Sequence, residues 1–154
     1  MNWEAVGTIA EVIGAIGVIV TLVYLAHQIR DNTKQSRLSS IRAINASTDS
    51  AFEPIYIPEN TRIWTTGLAT PSALGEAEQH VFGLLMTRLI ASFDATTYQY
   101  EQGALPTQLY DGYAAFFSSF VATPGGSVWY ERNRDLFLVE TQKRLDGAAK
   151  QVGA

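Results

Sequence analysis

The chain has no cysteine, only two histidines, and no lysine or arginine before Arg30. The first absence removes disulfides, thiolate metal sites and cysteine nucleophiles, and says little about compartment. The second works against a di-iron bundle, which needs Glu-x-x-His on two helices. Glu76 and Glu78 precede His80 by four and two residues, so the motif is absent, and His80 reads as a surface or satisfied helix residue. There is no Gly-x-Ser-x-Gly elbow, and no serine is placed near a histidine. "GAIG" and "PGG" are not followed by Gly-Lys-Ser/Thr and are not preceded by a strand, so neither is a phosphate loop. Asp94 and Glu101, two helical turns apart, read as a solvated face. These absences leave no catalytic residue, metal ligand or cofactor-binding residue to name, and a non-enzymatic chain without cofactors is expected.

The missing early basic residues divide the chain. The first 29 residues carry only Glu4 and Glu11. From Arg30 to Arg42, four basic residues (Arg30, Lys34, Arg37, Arg42) face one acid, Asp31. The remainder holds 7 basic and 12 acidic residues, within a net charge of −4. That balance gives no basic footprint for nucleic acid. Hydrophobic content of 47% and aromatic content of 11% over 154 residues are enough for a folded core.

From Val12 to Ile29 there are 18 residues without a formal charge, taking His27 as neutral. Extended back across Glu11 to Ala5, the stretch covers roughly 37 Å of helix, against a hydrocarbon layer of about 30 Å. Between Val12 and Ala26 only Thr21 and Tyr24 interrupt it, so no polar stripe marks a soluble core helix. A cleaved signal peptide would need a basic leading region and a small-x-small exit, and "VYLAHQIR" supplies no such exit. The expectation is a retained transmembrane helix over 1–30. The basic residues after it place the N-terminus outside and the body in the cytoplasm, with Trp3 and Tyr24 at the interfaces.

Within this stretch Gly7, Ala10, Gly14, Gly17 and Thr21 follow at steps of 3, 4, 3 and 4, one continuous seam that a second helix can approach closely. Glu11 sits beside the seam and either reaches the outer headgroups or packs in a contact. Arg30, Lys34, Arg37 and Arg42 read as membrane-surface cations. Past them, "HQIRDNTKQSRLSSIRAINASTDSAF" contains no Pro or Gly and keeps a 3–4 apolar spacing. A helical stalk over 31–52 is therefore expected, weakest at Asp31-Asn32-Thr33 and stopped by Pro54.

Residues 53–154 read as a soluble helical domain. Asn60 is expected to cap "TRIWTTGL", and Gly75 to cap the longest helix of this part, with Glu76 and Glu78 in its first turn. Phe82, Leu85, Met86, Leu89, Phe93, Thr96 and Tyr100 share one face up to Gly103, widened by Leu84, Ile90 and Thr97. "LPTQ" opens the next helix and "TPGG" breaks it. "SVWYERN" and "RDLFLVETQKRL" supply one interrupted or two short helices, and "DGAAKQVGA" reads as a frayed tail. In "PGGSVWYERNR" Ser127 is expected as a cap, and Arg132 or Arg134 as a partner of Asp111, Glu101 or Asp135. No period-2 alternation indicates a strand, so the class is all-α. Tyr98, Tyr100, Tyr110, Tyr113, Phe117, Trp129 and Tyr130 form either the core and its polar edge or the lining of a pocket.

Taken together, "GAIGVIVTLVYLAHQIRDNT", "PSALGEAEQHVF", "YQYEQGAL" and "TPGGSVWYERNRDLF" resemble a widespread family of bacterial membrane-anchored proteins with no established activity. The resemblance covers about Trp3 to Leu145. It implies bacterial origin and the inner membrane, with no catalytic residue. Members often carry a second aromatic after the Trp, met here by Tyr130, and an Asp, Ser or Thr cap where this chain has Gly75. The functional expectation is a single-span interaction or scaffold protein. It would contact membrane lipids and either itself, as a homo-oligomer, or another membrane protein. The alternative is a membrane-tethered small-molecule sensor using the aromatic set.

Overall fold

In the computed structural model the backbone is described for residues 3–150, and side chains are left out at 3–6, 8–10, 12 and 13. Every regular element among the described residues is helical. The helices are α1 (Trp3–Phe52), α2 (Pro58–Ala69), α3 (Glu76–Glu101), α4 (Thr107–Val121), α5 (Pro124–Asn133) and α6 (Val139–Lys150), joined partly by short 3-10 turns. The chain divides into two compact units, Met1–Ser39 and Ser40–Ala154.

In the first unit, every side chain described from Gly14 to Ser39 is exposed. The helix continues without a break through Asp31-Asn32-Thr33, where the Thr33 hydroxyl donates to the Ile29 carbonyl at 2.8 Å. Among the described residues no helix is long and apolar enough to cross a membrane. Described side chains are continuous only from Gly14, so Val12 and Ile13, which open the 18-residue uncharged run, lie outside them. The span expected within 1–30 is thus not among the elements these residues establish.

The second unit is a helical bundle centred on α3. Phe82, Leu85, Met86, Leu89, Ile90, Phe93, Thr96 and Thr97 are all buried on that helix. Leu84, expected to widen this face, is exposed instead. It lies five residues before Leu89, about 140° around the helix. The stretch read as stalk divides: from Ser40 it belongs to the bundle, with Ile44 only 1% exposed and Ala51 buried. Arg88 on α3 fastens its end, donating from Nη2 to the Ser50 carbonyl at 2.8 Å and to the Ser50 hydroxyl at 3.0 Å. That carbonyl lies in the last turn of α1, where acceptors lack intrahelical partners and the helix end carries partial negative charge. Arg88→Met keeps the stem and removes these bonds. It should cost about 1–2 kcal/mol in a urea denaturation of the full chain.

The helix ends follow local chemistry. Gly75 is the N-cap of α3, and its N–H donates to the Glu78 carboxylate at 3.0 Å. Only this half of a capping box exists, since glycine has no side-chain acceptor. Arg62 also pairs with Glu78, and that hydrogen bond, then the Gly75 N–H, holds the carboxyl below its ordinary range. At the other end Gly103 has φ +72°, with Gly103 N–H on Tyr100 and Ala104 N–H on the Gln99 carbonyl. This is the paired closure that a left-handed glycine permits.

Three expected caps and pairs are corrected. Asn60 does not cap α2, which starts at Pro58 after Ile57; its amide donates to the Pro54 carbonyl at 2.9 Å. Thr123, not Ser127, caps α5, its hydroxyl accepting from the Gly126 N–H at 3.0 Å, so "PGG" is the helix's first turn. Ser127 donates to the Pro124 carbonyl. Arg134 pairs with Asp146 at 2.9 Å, while Asp111 pairs with Arg144 at 3.1 Å. The tail read as frayed is helical to Lys150, because Leu145 and Ala149, one turn apart, are both buried.

Candidate functional site

The expected seam lies on the first unit. Gly7, Glu11, Gly14, Gly17 and Thr21 are exposed, and a methyl group added at any of the three glycines would meet nothing within 4 Å. Ala10 belongs to the seam by sequence, and its side chain lies outside the described residues. The Thr21 hydroxyl donates to the Gly17 carbonyl at 2.8 Å, so it needs no partner beyond its own helix.

The apolar side chains around the seam leave no polar face. Ile16, Val18, Ile19, Val20, Leu22, Val23, Leu25 and Ile29 are each between 44% and 66% exposed. Covering eight such aliphatic groups is worth on the order of 10 kcal/mol. An apolar helix without a polar stripe is stable only inside protein or lipid.

Beyond this stretch the helix has two different sides. At about 100° per residue, Arg30, Lys34 and Arg37 share an arc of about 60°. Gln28, Asn32, Gln35 and Ser39 share the opposite side, in line with Gly7, Gly14, Gly17 and Thr21 to within about 40°. Arg30, Lys34, Arg37 and Arg42 are exposed, and among the described residues none is in an ion pair.

The aromatic set is not gathered around one cavity. Phe117, Phe93, Tyr110 and Tyr100 form a filled stack, with successive ring centroids 5.0, 5.9 and 4.1 Å apart. The Tyr110 hydroxyl shares a 3.1 Å hydrogen bond with Thr97. Burial raises its phenol above the ordinary range, while the Thr97 bond works the other way. Tyr113 lies elsewhere and donates to the Asn45 carboxamide oxygen. Tyr130 is buried and donates to Asp146 at 3.1 Å. Burial, and then the Asp146 charge, raise this phenol well above the ordinary range. Half-buried Trp129 packs on Phe137 and borders an open cleft of about 340 Å³, with Leu74, Gln79, Phe82 and Arg132 among its walls.

Sequence reasoning missed the glycine corner between α2 and α5, where a methyl on Gly125 would stand 1.7 Å from the Gly67 carbonyl oxygen. The two glycines are far apart in sequence, and only the "PGG" doublet hinted at a tight approach. Asp94, read as solvated, accepts from the Leu138 N–H at 2.8 Å and so ties α3 to the entry of α6. His80 is exposed, and among the described residues no three His, Cys, Asp or Glu side chains are grouped to hold a metal ion.

The fold and these sites define an all-helical chain with a packed bundle and an exposed apolar helical segment. No family model, curated protein or solved structure matches it.

Proposed function

We propose that the chain is a single-pass, membrane-anchored interaction protein, self-associating or docked on another membrane protein through its small-residue seam. The observation that carries this reading is the exposure of apolar side chains all round the helix from Ile16 to Ile29. In sequence Val12 and Ile13 extend that run to 18 uncharged residues, a length suited to a span. The internally satisfied Thr21 hydroxyl supports the same medium, because polar groups in hydrocarbon must find partners within the protein. The cations that follow favour an N-terminus outside and a cytoplasmic bundle in a bacterial inner membrane. No catalytic role is assigned.

The two-sided segment after the run supports association on the seam side. Glycines let backbones approach, and the amides of Gln28, Asn32 and Gln35 continue the same side with groups able to hydrogen-bond across an interface. The like charges of Arg30, Lys34 and Arg37 are turned away from it. A symmetric assembly would place the seam near its axis. The sensor alternative retains the Trp129 cleft and a shallow apolar groove of about 260 Å³ beside Tyr113, with Leu109 and Phe116 among its walls, while Tyr100 lies in the filled stack.

The lack of cysteine makes a single-cysteine scan clean. Gly14→Cys, Gly17→Cys and Thr21→Cys, each oxidised mildly in membranes, should form a disulfide-linked pair of 16.9 kDa chains. Ile16→Cys, Ile19→Cys and Val23→Cys, on the opposite side, should not. Uniform crosslinking around the helix, or none at the seam positions, would sink self-association through this face. Crosslinks only to a different polypeptide would make the chain an accessory subunit.

A further inference from the structure

We infer that Arg30, Lys34 and Arg37 form a binding face for the phosphodiester headgroups of anionic phospholipids. The inference rests on the anchoring reading above and names the lipid that the segment after the span selects. These residues stand at i, i+4 and i+7, so their side chains leave one side of the helix, and the first and last are about 10 Å apart along its axis. The headgroup layer of one leaflet is about 5–8 Å deep, the difference between the full bilayer and its hydrocarbon core. The three cations therefore sample the whole depth of that layer when Arg30 sits at its inner edge.

Their surroundings fit an amphipathic lipid better than a free ion. A shallow groove of about 360 Å³ runs among Ile29, Arg30, Thr33, Lys34, Arg37 and Leu38. Ile29, at the hydrocarbon side of Arg30, is 66% exposed and gives an acyl chain apolar surface beside the charges. The Thr33 hydroxyl is turned to the Ile29 carbonyl and does not compete for the cations. No described carboxylate pairs with any of the three. Asp31, the nearest acid in sequence, stands about 100° around the helix from Arg30 and about 60° from Lys34, and is paired with neither. Guanidinium groups can grip a phosphate with two parallel N–H donors, while Lys34 adds a point charge. Arg42 belongs to the second compact unit and is not part of this face.

The test uses the full chain in lipid nanodiscs containing equal amounts of phosphatidylglycerol and phosphatidylcholine. After gentle detergent release, native mass spectrometry counts the lipids still bound. Wild type should retain phosphatidylglycerol over phosphatidylcholine by about tenfold or more, and each lost cation should reduce the ratio by up to about fivefold. Arg30→Gln/Lys34→Gln/Arg37→Gln should bring the ratio near one. Lys34→Gln/Arg37→Gln keeps Arg30 to orient the chain and should fall between. A wild-type ratio near one, or a triple variant that matches wild type, overturns the inference. Carbonate extraction in parallel separates the two readings. A chain released by carbonate removes the anchor and this inference with it, while an anchored chain without lipid preference removes the lipid site alone.

Discussion

Gly125→Ala is expected to destabilise the bundle by about 3 kcal/mol or more. The added carbon would lie 1.7 Å from the Gly67 carbonyl oxygen and 2.8 Å from its carbon. Both are backbone atoms, so no rotamer change relieves the clash, and α2 and α5 must separate. The glycine is required by close approach and not by conformation, since only Gly103 has a positive φ among the described glycines. Movement at this corner would reach the core through Gly67, whose own added methyl would stand 2.3 Å from the Phe82 ring. Against a total stability of roughly 5–15 kcal/mol, the loss should lower the melting temperature of the bundle by about 10 °C or more. Gly112→Ala is the matched control. It lies within α4 with nothing within 4 Å of the new methyl and should stabilise by up to about 1 kcal/mol. Circular dichroism melts of the two variants would compare them directly, and equal melting temperatures would refute the close-approach argument.

What could be read from the sequence follows the range of the interactions involved. The Phe52 end of α1, the Gly75 start and Gly103 stop of α3, and the α3 core face are set by neighbours within a few residues, and all were legible. Leu84 failed because an apolar residue was admitted to the face by type, although its position put it on the far side. Ser127 was outcompeted by Thr123 because Pro124, with no N–H to offer, is well placed at the first helical position rather than as a breaker. The ion pairs between helices could not be read at all. Asp111 meets Arg144 across 33 residues, and Arg134 meets Asp146 only because α6 folds back beside α5. The division of the aromatic set into a stack, a surface hydrogen bond and a cleft wall depends on packing that residue types do not encode. The seam and the cation face were legible as positions on a helix.

Ile19→Arg combined with Val23→Arg is expected to abolish membrane retention. Each arginine near the middle of a span costs about 2.5–3.5 kcal/mol on an insertion scale and forfeits a favourable aliphatic contribution of about 0.3–0.6 kcal/mol. Together the two substitutions cost about 6–8 kcal/mol. The ten Val, Leu and Ile residues between Val12 and Ile29 supply about 3–6 kcal/mol on the same scale, so the change exceeds the whole favourable term. Both positions are exposed, at 60% and 54%, and both lie away from the seam, so the bundle loses no contact and should keep its fold. The wild-type chain should remain in membranes after alkaline carbonate, and the double variant should appear in the soluble fraction or be degraded. Ile19→Leu with Val23→Leu should behave as wild type. If the doubly charged chain stays in the carbonate-resistant fraction at wild-type levels, the apolar run is not the anchor. Release of the wild type itself would instead assign the exposed apolar helix to a protein partner, since a surface of this size must be covered by one or the other.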